Sequence, residues 1–168
     1  MTSLGVVLYC TSELEKITAL AIDLFAEKVL KQGDATGILY AALKSISMES
    51  NLHASVIEML GKAAKAYEPV DSCEEVVGGP WRMVSNAILN LRGGKTASLK
   101  EFIEGQKWVE VAIGEETYQQ LALPLIREHL KTQPAGISRI VEALLDKIVN
   151  DERIHEKMLI EVERMSEA

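Results

Sequence analysis

Aromatic residues are scarce in this chain: 5% of 168 residues, although 48% are apolar. Sandwich strands draw on aromatic and β-branched side chains, so this balance favours helices packed through Leu, Ile, Val and Ala. Proline is rarer still, with 4 residues, and the long segments without it are free to stay helical. No apolar run approaches the roughly 20 residues that span a bilayer. The first residues, MTSLGVVLYC, hold no Lys or Arg and make a poor signal peptide. Positive charge is in deficit, 18 Lys and Arg against 25 Asp and Glu, for a net charge of -7. That argues against a nucleic-acid backbone or an anionic membrane as partner. The two cysteines, Cys10 and Cys73, lie far apart with no CxxC spacing. They read as buried thiols of a reduced, cytoplasmic protein rather than as a disulfide.

What is present is helical periodicity in a length that suits one domain. Ser12 and Glu15 fit a capping box ahead of ITALAIDLFAEKVL, although nothing forbids a start near Ser3. Gly33 and Asp34 mark a turn, and a second helix follows from about Ala35 to Ala66. The stretch from Glu68 to Lys100 differs, carrying Pro69, Gly78-Gly79-Pro80 and Gly93-Gly94 around one short helix, WRMVSNAILNL. GGKT, Gly93 to Thr96, is a turn and not a phosphate loop, because Leu89 stands where that motif needs glycine. A third helix spans roughly Ser98 to Leu130 with a kink expected at Pro124, and a fourth runs from about Ile137 to Met165. The expected fold is all-α: hairpins at about 12–66 and 98–165 joined by a crossover at about 67–97, a four-helix bundle.

The two hairpins repeat each other. LKSISMESNLHASVI, from Leu43, aligns without a gap on LDKIVNDERIHEKML, from Leu145. His53 then meets His155, and Glu49 meets Asp151. More weakly, EKITALAIDLF from Glu15 aligns on ETYQQLALPLI from Glu116. Glu15 and His53 each lie 19 residues from Asp34, while Glu116 and His155 lie 19 and 20 from Ala135. In antiparallel hairpins rising about 1.5 Å per residue, each acid is expected level with its histidine. His53 and the Glu152–His155 pair fall on aliphatic stripes, where a buried charge needs compensation. A bound cation is one compensation, since carboxylate and imidazole suit iron, manganese or zinc.

At these residues the chain resembles the ferritin-like superfamily, and within it the rubrerythrin-type proteins, whose site takes one Glu from each of two helices and a Glu-x-x-His from each of the others. The resemblance implies metal ligands at Glu15, His53, Glu116, Glu152 and His155, with Glu110 and Glu115 as rivals of Glu116. Ser50 stands where the second helix should carry its Glu, so Glu49, one residue earlier, is the candidate there. The implied chemistry is Fe(II) oxidation or reduction of O2 or peroxide, as a ferroxidase or peroxidase, on a dinuclear or mononuclear site. The chain lacks the CxxC pairs of a rubredoxin-like site, so that chemistry would need an external electron donor. The alternative is a metal-free helical scaffold acting through oligomerisation or a partner, with Trp81, Met83 and Ile88 of the crossover exposed or packed on that partner. Homo-oligomers are expected under either reading. His129 reads as a surface residue.

Overall fold

The computed structural model describes residues 2–31, 37–95 and 97–167. Among them every regular element is helical: α1 (Leu4–Lys31), α2 (Gly37–Ala63), α3 (Glu74–Val77), α4 (Gly79–Arg92), α5 (Leu99–Ala112), a π-helical segment (Ile113–Ala122), α6 (Leu123–Leu130) and α7 (Ala135–Glu167). No helix of the described residues is long and apolar enough to cross a membrane. The turn expected at Gly33-Asp34 lies outside the described residues.

Cross-helix contacts fix the directions. Asp23 pairs with Lys44 at 2.5 Å, Ser47 donates to the Ala19 carbonyl at 3.2 Å, and Lys16 pairs with Glu58 at 3.0 Å. One chain number rises as the other falls, so α1 and α2 are antiparallel. Lys107–Glu163 at 2.5 Å and Glu110–His155 at 3.0 Å set α5 against α7 in the same sense. Phe25 stacks on Phe102 at 3.9 Å while Tyr118 reaches Glu15, which also makes the third segment (99–130) antiparallel to α1. Then α2 and the third segment run the same way. A connection traversing the molecule is required between them, and α3 and α4 supply it, packed along α1.

Two apolar clusters fill the interior. One gathers Val7, Leu14, Ile57, Val109, Ile113 and Ile148, among others. The other gathers Ile22, Phe25, Leu43, Ile46, Phe102 and Leu159. Between them the same helices place a layer of buried acids and histidines.

Several local expectations are corrected. Ser12 is not an N-cap: α1 begins at Leu4, capped by Ser3, whose hydroxyl accepts from the Val6 N–H at 3.2 Å. Ser12 instead sits mid-helix, donating to the Tyr9 carbonyl at 2.9 Å and meeting the Tyr67 hydroxyl at 2.7 Å. A complete capping box does occur at Ser98 and Glu101, opening α5. Cys10 and Cys73 form a disulfide, with Cα atoms 5.2 Å apart. The crossover folds back on α1, a proximity that spacing along the chain does not encode. Trp81 is half-buried and Ile88 buried against the chain's own core, leaving Met83 exposed.

Near Pro124 the helix does more than kink. Its turns widen over Ile113–Ala122, and Pro124 then sits in the first turn of the α-helical continuation. There its missing N–H costs least. Such wide turns occur preferentially at functional sites.

Candidate metal centre

Five ionisable side chains from four helical segments converge in the polar layer. They are Glu15 of α1, His53 of α2, Glu110 of α5, and Glu152 and His155 of α7, none more than 2% exposed. Glu152 and His155, one turn apart, share a face of α7 as their i, i+3 spacing requires. Gly114 makes room for Glu152: a Cβ added at Gly114 would lie 3.3 Å from the Glu152 Cβ.

The groups form two triads, Glu15–His53–Glu152 and Glu110–Glu152–His155. In each, the three ligand atoms lie within 4.8 Å of one another, and Glu152 belongs to both. His53 Nδ1 is 2.9 Å from Glu152 Oε1 and 3.5 Å from Glu15 Oε1. The first distance would suit a hydrogen bond, but the ring N–H is not directed at the oxygen, and both Glu152 oxygens remain without a hydrogen-bond partner. Glu15 Oε2 and Glu110 Oε1 are unpartnered as well. Buried polar atoms are nearly always satisfied, and leaving each of these bare costs about 1–3 kcal/mol or more. His155 Nδ1 does pair with Glu110 Oε2 at 3.0 Å, so the unpartnered atoms gathered in the layer are His53 Nδ1 and one or both oxygens of Glu15, Glu110 and Glu152.

The outer edges of the imidazoles are held crosswise. His53 Nε2 faces Asp151 of α7 at 3.0 Å, and His155 Nε2 faces Glu49 of α2 at 2.7 Å. Asp151 and Glu49 are the aligned positions of the internal repeat, each four residues before a histidine and each contacting the histidine of the other hairpin. A carboxylate accepting from Nε2–H fixes the ring and turns Nδ1 inward. Asp151 is itself paired with Lys147. Tyr118, fully buried in the π-helical segment, donates its hydroxyl to Glu15 Oε1 at 2.7 Å.

Electrostatics follow from this crowding. Burial, then the charges of Glu15 and Glu110, push the Glu152 carboxyl far above its ordinary value. Burial works against protonating His53, but Glu15 and Asp151 outweigh it; for His155, Glu110 and Glu49 do the same. Both imidazoles therefore hold a proton more tightly than free histidine. Tyr118 is raised too, by burial first and then by Glu15. Each retained proton on Glu152 or an imidazole lowers the negative charge gathered in the layer.

Of the residues singled out from sequence, Glu15, His53, Glu152 and His155 lie in this layer. Glu49 is 41% exposed and touches His155 from outside instead of joining the interior donors. Glu116 is exposed, as is Glu115, and Glu110 occupies the interior position. The count to Glu116 assumed a uniform rise. The π-helical segment lies between Glu110 and the turn, and its wide turns spend more residues per unit of height and rotate the inward face. Ser50 is fully buried with its hydroxyl unpartnered, three residues before His53. Sequence reasoning missed Tyr118 and the role of Asp151; the alignment of Asp151 with Glu49 was the available signal for the second. A narrow cleft of about 40 Å3, lined by Glu110, Gly114, Gln119, Glu152 and Arg153, connects the second triad to the surface. It has room for about one water molecule. No family model, curated protein or solved structure matches this chain.

Proposed function

We propose that this chain is a divergent relative of the rubrerythrin-type, ferritin-like proteins, a four-helix bundle that binds non-haem metal, iron before manganese or zinc, between its two hairpins. The observation that carries the reading is Glu152: buried, shared by two triads, and without a hydrogen-bond partner on either oxygen. Three carboxylates and two imidazoles are a donor set that suits these metals, and a divalent cation would compensate the acids whose charge protons otherwise lower. Glu15 with His53 would hold one ion, Glu110 with His155 the other, and Glu152 both. Iron so held supplies one-electron redox chemistry toward O2 or peroxide, with Fe(II) as reductant.

The protein's own contribution is orientation and exclusion. Asp151 and Glu49 keep Nδ1 of each imidazole turned inward. The Tyr118 hydroxyl holds Glu15 in place and is a proton donor at Oε1. The apolar clusters on either side keep bulk water out, and the cleft beside Gly114 admits only a small molecule. Ser50, aligned with Glu152 in the repeat, puts a buried hydroxyl where a sixth donor would stand.

Elemental mass spectrometry after anaerobic Fe(II) loading and desalting tests the proposal. About two ions per chain are expected in the wild type, about one in His53→Ala, and none in Glu152→Ala. Retention unchanged by Glu152→Ala, or no metal in any sample, would sink it. The remaining reading would then be the metal-free scaffold acting through oligomerisation or a partner.

A further inference from the structure

We propose that one end of the molecule binds a linear amphipathic carboxylate, a medium-chain fatty acid, with its chain inside and its head at Lys65 and His129. The inference does not depend on the metal reading. A cavity of about 340 Å3 lies there, lined chiefly by Leu8, Leu60, Ile126, Leu130 and Val141 from α1, α2, α6 and α7. The volume is in the range of small-molecule sites, and at about 30 Å3 per water-sized unit it holds roughly ten. An aliphatic cavity of this size is poorly wetted, and its walls lack the contacts a filled core has.

The cavity has a direction. Along each helix, Leu8, Leu60, Ile126 and Val141 lie on the side toward Glu15, His53, Tyr118 and Glu152. Lys65, His129 and Gln133 line the outer part. Leu8 is about 10 Å from Glu15 along the helix axis. A ligand is thus apolar inward and polar outward.

The polar end holds one cation, Lys65, beside the N–H-bearing imidazole of His129. The side chains of Lys65 and His129 make no ion pair or hydrogen bond among the described residues, in a chain whose net charge is -7. Lys65 also stands where lysine is unfavourable. It has φ 53°, and it ends α2 with the Ala66 N–H donating to the Gly61 carbonyl at 2.8 Å and its own N–H donating to that of Lys62 at 3.1 Å. That left-handed position ordinarily takes Gly or Asn. The exposed Lys65 side chain stands at the mouth of the cavity from this position. The Lys65 ammonium favours a small anion over a second copy of this acidic chain, which would bring its excess negative charge to the site.

Isothermal titration with decanoate and with decanol, below their aggregation limits, tests this on the full chain. Wild type should bind decanoate. Lys65→Gly should bind it about tenfold more weakly and should melt at a higher temperature, because glycine relieves the backbone. Decanol binding should change less than twofold. Ile126→Trp, which fills the inner wall, should abolish binding of both. The proposal fails if wild type does not bind decanoate, or if Lys65→Gly binds it unchanged. It also fails if sedimentation shows a dimer that Ile126→Trp dissociates, which would make a second copy the occupant.

Discussion

The two hairpins repeat one sequence pattern but are built differently. The first is regular: α1 and α2 are uninterrupted helices, each giving one interior donor, Glu15 and His53. The second is distorted and better equipped. Its third segment widens into π-helical turns, which bring Tyr118 to Glu15 and open Gly114 to Glu152, and α7 contributes both Glu152 and His155. At corresponding positions one half carries Ser50 and the other Glu152. The difference teaches that one acid, Glu152, can approach the histidines of both hairpins, at 2.9 Å and 3.9 Å, so that the layer closes without an acid at Ser50.

The largest expected effect tests that asymmetry. Glu152→Ala should weaken Fe(II) binding at least about 100-fold, while Ser50→Ala should leave it within about threefold, read as retained metal after desalting. Equal losses would restore symmetry between the halves and undo the comparison.

The first hairpin has a staple of its own, since Cys10–Cys73 ties α1 to the crossover across 63 residues. Loop-closure entropy makes such a link worth about 4 kcal/mol, so Cys10→Ser with Cys73→Ser should lower the melting temperature by about 10 °C. Calorimetry with and without reductant measures it; an unchanged midpoint would mean the crossover packs on α1 without needing the bond.

A smaller effect separates the two outer carboxylates. Asp151→Asn should weaken metal binding about tenfold, with the loss confined to the ion near His53, whereas Glu49→Gln should affect the ion near His155. Glu49 is more exposed than Asp151, so its effect should be the lesser of the two.

The smallest prediction concerns the metal-free protein and pH. Glu152 has a folded-state pKa far above its reference value of 4.5. Above pH 4.5 the unfolded chain gives up this proton while the folded chain keeps it, so this group makes stability fall as pH rises. His53 and His155 are raised above 6.5. Their stabilisation is complete below that pH and is lost as pH rises through the folded values. Both effects have one sign, so the metal-free chain should melt at progressively lower temperature from about pH 5 to pH 8. Glu152→Gln, which cannot lose a proton, should flatten the first part of that slope and raise the melting temperature at pH 7 by a few °C. A melting temperature that rises with pH in metal-free wild type would contradict this account of the layer.

How much was legible in advance differs between particular residues. Helical periodicity and the repeat sufficed to bring His53, Glu152 and His155 inward, because a side chain's face on a regular helix follows from its position alone. The same logic failed at Glu116. A π-helical segment breaks the proportion between residue count and height, and no local signal apart from Pro124 marks it. Glu49 was placed on the right helix and beside the right layer, but which of its neighbours it touches depends on the packing angle of α2 against α7.

By itself the sequence determined the helices, their order, the crossover and the acid–histidine repeat, because these rest on periodicity, turn residues and connection length. Only the tertiary structure decided that Glu110 and not Glu116 meets His155, that Glu152 belongs to both triads, that Cys10 and Cys73 are joined and that Lys65 stands at the mouth of a cavity. Each of these is a distance between residues far apart in the chain, fixed by how the helices pack and not by the local preferences of any one of them.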